Sequence, residues 1–219
     1  MFAGHIGAAL ALGRADRGAN VGVFVLSALL PDVVLWVLIL GGIESASIPA
    51  GFALTHQPEF IFPYSHGLVA SLCWSVLAGV VAFAWYPASG RARARLAVLV
   101  AAAVFSHWLL DVLVHGPEMP LLGVTSTKLG LGLWRNMPAA LAVEAVMVVI
   151  GLSLFLAGAA MASARRLLLV ALALLLLAFT VAGMTVAPPP PSVMAMAASS
   201  LLTILVVCGL FAWLGKPRR

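Results

Sequence analysis

From Leu167 to Gly215 the chain carries no acidic, basic or histidine side chain. Two apolar runs fill that stretch, 167–187 and 193–214, separated by the turn-like Pro188–Pro191 segment. Each is long enough to cross a hydrocarbon core of about 30 Å, which takes about 20 helical residues at about 1.5 Å each. A backbone in lipid must satisfy its polar groups internally, so such runs fold as helices. The remainder has the same character. Of 219 residues, 63% are hydrophobic and 9% charged, with a mean hydropathy of +1.15. A soluble domain carries about 25% charged residues. So few charges cannot cover a water-soluble globule, and the sequence predicts an all-α, polytopic membrane helix bundle.

Further apolar segments stand at 21–41, 66–86, 96–115 and 139–162, giving about six transmembrane helices. Residues 2–13 are too short to cross and predict an N-terminal half-helix; no basic region precedes them, so they do not read as a cleavable leader. Residues 42–65 read as a polar loop, and His56 within it as a solvated side chain. Pro31-Asp32 interrupts the first full span.

The net charge of +5 and pI near 10.0 raise the question of nucleic acid. The basic residues instead form short clusters beside apolar runs, as orientation signals do, so no nucleic-acid partner is expected. Arg14, Arg17, Arg91, Arg93, Arg95, Arg165, Arg166, Lys216, Arg218 and Arg219 fall on one side, and Lys128 and Arg135 on the other. Positive-inside logic then puts both termini in the cytoplasm and the loops at 42–65 and 116–138 outside, in the cytoplasmic (inner) membrane. Cys73 and Cys208 lie in apolar stretches without metal-site spacing and read as small core residues.

Ionisable groups at membrane depth are costly and mark function. His5, Asp32, His66, His107, Asp111, His115 and Glu144 all fall in the first two-thirds of the chain. This divides it into a chemical part, 1–162, and two C-terminal packing helices, 163–219. His107, Asp111 and His115 follow at i, i+4 and i+8, one stripe on one helix face. Two ligand-type side chains one turn apart can share a metal ion, or can simply hydrogen-bond within their helix. Counted from the helix ends, Asp32, His66, His107, Asp111, His5 and Glu144 fall in the outer half of the bilayer, where they can converge in one pocket. Imidazole and carboxylate without thiolate suit Zn²⁺ or another divalent ion. Asp32 and Glu144 are the candidates for a general base. A proton- or metal-coupled permease would use the same residues as a translocation path.

Gly4-His5, Leu30-Pro31-Asp32, Ser65-His66, Ser106-His107 with Asp111, and Gly116-Pro117 with Pro120-Leu121-Leu122 occur in that order. Over about residues 1–145 this resembles the YdjM-like family of bacterial membrane-bound metal-dependent hydrolases. It is also distantly similar to zinc-dependent phospholipase C. The resemblance implies a metal held by Asp32, His66, His107 and Asp111, a second contacted by His5 and Asp111, and Glu144 as the glutamate that follows the Pro-Leu-rich loop. It departs from the family's fuller pattern at Asp32-Val33-Val34 and Pro63-Tyr64-Ser65-His66-Gly67. A site in the outer leaflet is most easily reached by a lipid-like ester or phosphoester.

Overall fold

A computed structural model describes residues 1–87, 89–157 and 161–215; Lys216, Arg218 and Arg219 lie outside the described residues. The chain is an all-α bundle. In order, its helices are α1 (Phe2–Gly13), α2 (Val21–Ala28), α3 (Leu30–Leu40), the short α4 (Phe52–Thr55), α5 (Leu68–Trp85), α6 (Gly90–Val114), α7 (Met137–Leu156), α8 (Ser163–Thr185) and α9 (Val193–Leu214). Five of them are long and apolar enough to span a membrane, and α2 with α3, bent by 50° at their break, pass the same test only when taken together, as a broken span or a re-entrant loop. Val76 and Val80 on α5, Val149 on α7 and Leu167 and Leu175 on α8 are more than half exposed, as side chains facing lipid are.

The bend falls at Leu29, two residues ahead of Pro31. Proline sits in the first turn of α3, where a missing N–H leaves no helical hydrogen bond unmade. Breaking the helix there opens the last carbonyls of α2 to other partners and places Asp32 at the head of α3. Asn20 fixes the other end of α2. Its Oδ1 accepts from the Gly22 amide at 2.8 Å, and its Nδ2 donates to the Ala212 carbonyl of α9 at 2.8 Å.

With 12 residues, α1 spans only about 18 Å. It is nonetheless buried along most of its length, packed against α2, α6 and α7. Glycine makes this possible. A Cβ on Gly151 of α7 would lie 2.0 Å from the Gly7 carbonyl oxygen, and one on Gly7 would lie 2.4 Å from that of Met147. Small residues that let backbones touch are the usual means of joining helices in lipid, where lipid tails remove the hydrophobic drive between helices.

The connections at the two ends differ in character. At one end, residues 41–67 hold an antiparallel hairpin of β1 (Ser45–Ser47) with β2 (Glu59–Ile61) as well as α4. Residues 115–136 hold the pair β3 (Met119–Pro120) and β4 (Lys128–Leu129). His56 is a correction to the loop reading. It ends α4 in the left-handed conformation (φ 52°), and its Nδ1 lies 2.9 Å from the Ala187 carbonyl in the α8–α9 connection, which ties two loops at this end. At the opposite end lie Arg14, Arg17, Arg91, Arg93, Arg95, Arg165 and Arg166. There Arg95 reaches the buried Asp16 carboxylate at 3.4 Å, and the Tyr86 hydroxyl donates to the Gly18 carbonyl at 2.8 Å. These contacts join the α1–α2 turn to the α5–α6 hairpin.

Candidate metal centre

Three elements bring four ionisable side chains together at the hairpin end of the bundle. Asp32 comes from the first turn of α3 and His66 from just before α5. The C-terminal half of α6 supplies His107 and Asp111. His66 Nε2 stands 3.1 Å from His107 Nε2, 3.5 Å from Asp32 Oδ1 and 3.5 Å from Asp111 Oδ2. His107 Nε2 stands 3.0 Å from Asp111 Oδ2 and 3.6 Å from Asp32 Oδ1. These five separations run from 3.0 to 3.6 Å. Zinc bound to imidazole and carboxylate at about 2.0–2.1 Å sets its ligand atoms about 3.3–3.4 Å apart, inside the observed range. His66, His107 and Asp111 form a buried triad that could hold a metal ion, and Asp32 Oδ1 borders it from the cavity side.

The far side of each ring decides what the Nε2 atoms can do. His107 Nδ1 lies 2.7 Å from the Ala28 carbonyl at the end of α2. A carbonyl only accepts, so Nδ1 carries the hydrogen, and a neutral ring then presents a lone pair at Nε2. His66 Nδ1 lies 2.8 Å from Ser65 Oγ, which itself lies 2.7 Å from Glu44 Oε2. With its own hydrogen given to the carboxylate, the hydroxyl accepts from Nδ1, and His66 also turns a lone pair inward. With both Nδ1 atoms donating outward, the two Nε2 atoms face each other beside two carboxylate oxygens and can act with them as electron-pair donors. A divalent cation satisfies such a set. Ligand histidines in metal sites have their second nitrogens engaged in this same manner.

His5 joins from the first turn of α1. Its ring lies flat against that of His107, with centroids 3.7 Å apart and planes 8° apart, and its Nε2 is 3.1 Å from Asp111 Oδ1. The Met1 nitrogen is 3.3 Å from the same oxygen, a correction to the placing of both termini at the arginine-rich end: α1 runs from this cluster to Arg14, so its first residue lies at the hairpin end. One ligand atom each from His5, Asp32 and His107 also falls within 4.8 Å of the others, so a second triad overlaps the first through His107. Asp111 thus faces the two rings of His66 and His107 with Oδ2 and His5 with Oδ1. His115 continues the stripe, with Nε2 4.0 Å from Asp111 Oδ2 and Nδ1 2.6 Å from Glu118 Oε1.

Glu144 meets the edge of this cluster through the first turn of α1, facing the Met1 amine that also pairs with Asp111. It is buried on α7, and its Oε2 accepts from the Gly4 amide at 3.1 Å, in the first turn of α1. It therefore helps hold the helix that carries His5. Sequence spacing did not single out Glu44, whose carboxylate is buried and accepts from the Tyr64 and Ser65 amides at 2.7 and 2.9 Å in addition to Ser65 Oγ. As one more acid in a loop it carries no mark in the sequence; the loop's fold gives it its partners.

A cavity of about 570 Å³ opens beside Asp32, His66, Asp111 and His115, a size that suits small-molecule ligands. Its walls are largely apolar: Leu35 and Trp36 from α3, Phe60 and Phe62 from the hairpin loop, Phe179 from α8, and Met196 and Ile204 from α9. Ser199, Ser200 and Thr203 add a row of hydroxyls on α9. The two C-terminal helices thus supply one wall of the cavity as well as packing. Among the four converging side chains Asp32 is the most open, 22% exposed against 4% or less for the others.

Comparison with models of known protein families, with curated proteins and with solved structures finds no match. The functional reading therefore rests on this geometry and on the residues that build it.

Proposed function

We propose that this multi-pass membrane protein is a metal-dependent hydrolase of the YdjM-like type, acting at an outward-facing site on a lipid-like ester or phosphoester. The observation that carries the reading is the convergence of Asp32, His66, His107 and Asp111, whose donor atoms approach to 3.0–3.6 Å around the two rings, with both histidines bonded through Nδ1 away from the centre. The nitrogen–oxygen donor set favours zinc. When bound, such an ion supplies Lewis acidity and lowers the pKa of water towards neutrality.

The chain's own residues supply the rest. Asp111 and the two rings are fixed by burial, so they hold geometry. Asp32 faces the cavity, where its carboxylate, if it is not taken up as a ligand, can accept a proton from an attacking water. The apolar walls exclude water around the reacting bond and accept a hydrocarbon tail, and the hydroxyls of α9 give polar contacts along it.

The ionisable groups stop at one end of the bundle. Asp16, buried at the other end, is paired with Arg95. Ionisable cavity residues gathered at one end fit a hydrolase better than a permease, which needs a polar path through the membrane. The test uses purified wild type and Asp111→Asn. Metal content is measured before and after chelation, turnover of fluorogenic lipid esters and phosphoesters is followed in detergent, and ion flux is followed in sealed vesicles. Metal-dependent turnover that vanishes in Asp111→Asn is expected. Flux through the wild type without turnover would replace the hydrolase with a permease.

A further inference from the structure

Building on the metal-site reading, we infer that Glu44 and Ser65 form a positioning relay that sets which nitrogen of His66 carries the proton. The geometry is directional. Glu44 Oε1 accepts two backbone amides, those of Tyr64 and Ser65, at 2.7 and 2.9 Å. This anchors the carboxylate and leaves Oε2 for Ser65 Oγ at 2.7 Å. A carboxylate has no hydrogen to give, so the hydroxyl hydrogen points at Glu44. The Ser65 lone pairs then face His66 Nδ1 at 2.8 Å, and Nδ1 must donate. Both Glu44 and Ser65 are buried, so no solvent reverses the chain of bonds. The consequence reaches Nε2, which is left to face His107 Nε2 at 3.1 Å as a metal ligand. His107 obtains the same result from a backbone carbonyl, which cannot be mutated away. His66 depends on two side chains, and there the centre is adjustable.

The relay predicts an effect that size and burial alone do not. In Glu44→Gln the amide oxygen can keep both backbone donors, while the amide nitrogen takes the place of Oε2 and donates to Ser65 Oγ. Every bond in the chain then reverses. The hydroxyl donates to His66 Nδ1, and the ring proton moves to Nε2, where it blocks the metal. The substitution is nearly isosteric and keeps each contact, yet it is expected to weaken zinc binding about 100-fold. Ser65→Ala only removes the link and is expected to cost about 10-fold, within the usual 10–100-fold for lost outer partners of metal ligands.

Two measurements on detergent-purified protein test this. Zinc affinity is read by competition with a chelator, with thermal unfolding of the metal-free variants as a check on folding. Nitrogen NMR of imidazole-labelled, metal-free protein reads whether His66 Nδ1 is protonated: it is expected to carry hydrogen in the wild type and to be bare in Glu44→Gln. A protonated Nδ1 in Glu44→Gln, or wild-type zinc affinity in that variant, would overturn the relay. If Glu44→Gln does not fold, wild-type zinc affinity in Ser65→Ala overturns it. A wild type that binds no divalent ion but shows the expected Nδ1 states would remove the metal-site reading and leave the relay standing.

Discussion

His66 and His107 meet Nε2 to Nε2 at 3.1 Å, each nitrogen also within 3.6 Å of an Asp32 and an Asp111 oxygen. The contact spans 41 residues of sequence, and each ring is held from behind, one by Ser65 and one by the Ala28 carbonyl. Removing either ring takes away one nitrogen donor and leaves the Asp32 and Asp111 carboxylates facing a single ring. His107→Ala is expected to reduce bound zinc below one-tenth of the wild-type content, measured by elemental analysis. His56→Ala, which alters a loop tie at the same end of the bundle, is expected to leave the content unchanged.

Metal removal should be visible as lost stability. An ion bound only by the folded state adds about 4 kcal/mol when free metal stands at about 1,000 times its dissociation constant. Chelation of the wild type is therefore expected to lower the unfolding temperature by several degrees. Asp111→Asn is expected to show no response to either zinc or chelator in the same thermal assay. A wild-type unfolding temperature indifferent to both would end the metal-site reading.

The spans and their order were legible because lipid imposes one rule everywhere: long apolar runs become helices, and polar turns separate them. The gathering of Asp32, His66, His107 and Asp111 was legible for a related reason. Few ionisable groups tolerate that depth, so counting along each helix placed them at one level. Counting gives height without direction. It gave Glu144 the same level as the cluster, yet on α7 that carboxylate turns to the Gly4 amide. The break at Leu29 was misplaced by two residues because proline marks where a helix can begin as readily as where one ends. Glu44 was missed because its partners are backbone amides 20 and 21 residues away, which only the folding of residues 41–67 brings near.

The contact of α1 with α7 carries a stability prediction of its own. No side chain separates the backbones at Gly7 and Gly151, so an added methyl must push the helices apart. Gly151→Ala is expected to cost about 1–3 kcal/mol, the usual range for overpacking. The displaced helix carries His5, so the same variant should also weaken metal binding although it touches no ligand. Gly183→Ala on α8, where a Cβ would meet open space, is the matched control and is expected to behave as wild type.

Orientation in the membrane follows from the arginine-rich end and is expected to read as cytoplasmic. In a background without Cys73 and Cys208, Arg93→Cys should resist an impermeant thiol reagent in intact cells. Val124→Cys, on the loop at the metal-site end, should react. The reverse pattern would turn the cavity towards the cytoplasm and change the pool of substrates that can enter it.

The last prediction separates the site from the space beside it. Ser200 lies on the cavity wall formed by α9, and it belongs to neither ligand triad. A tryptophan there would fill the cavity where a hydrocarbon tail is proposed to lie. Zinc content and the thermal response to chelation depend on the four ligands, so both are expected to persist in Ser200→Trp. Turnover of a long-chain ester depends on the cavity and is expected to fall at least 10-fold. A short-chain ester, which needs only the space next to Asp32, should lose much less. Equal loss for both chain lengths would place the tail elsewhere, since a wall that contacts the tail must discriminate by length, whereas a general disturbance of the bundle would not.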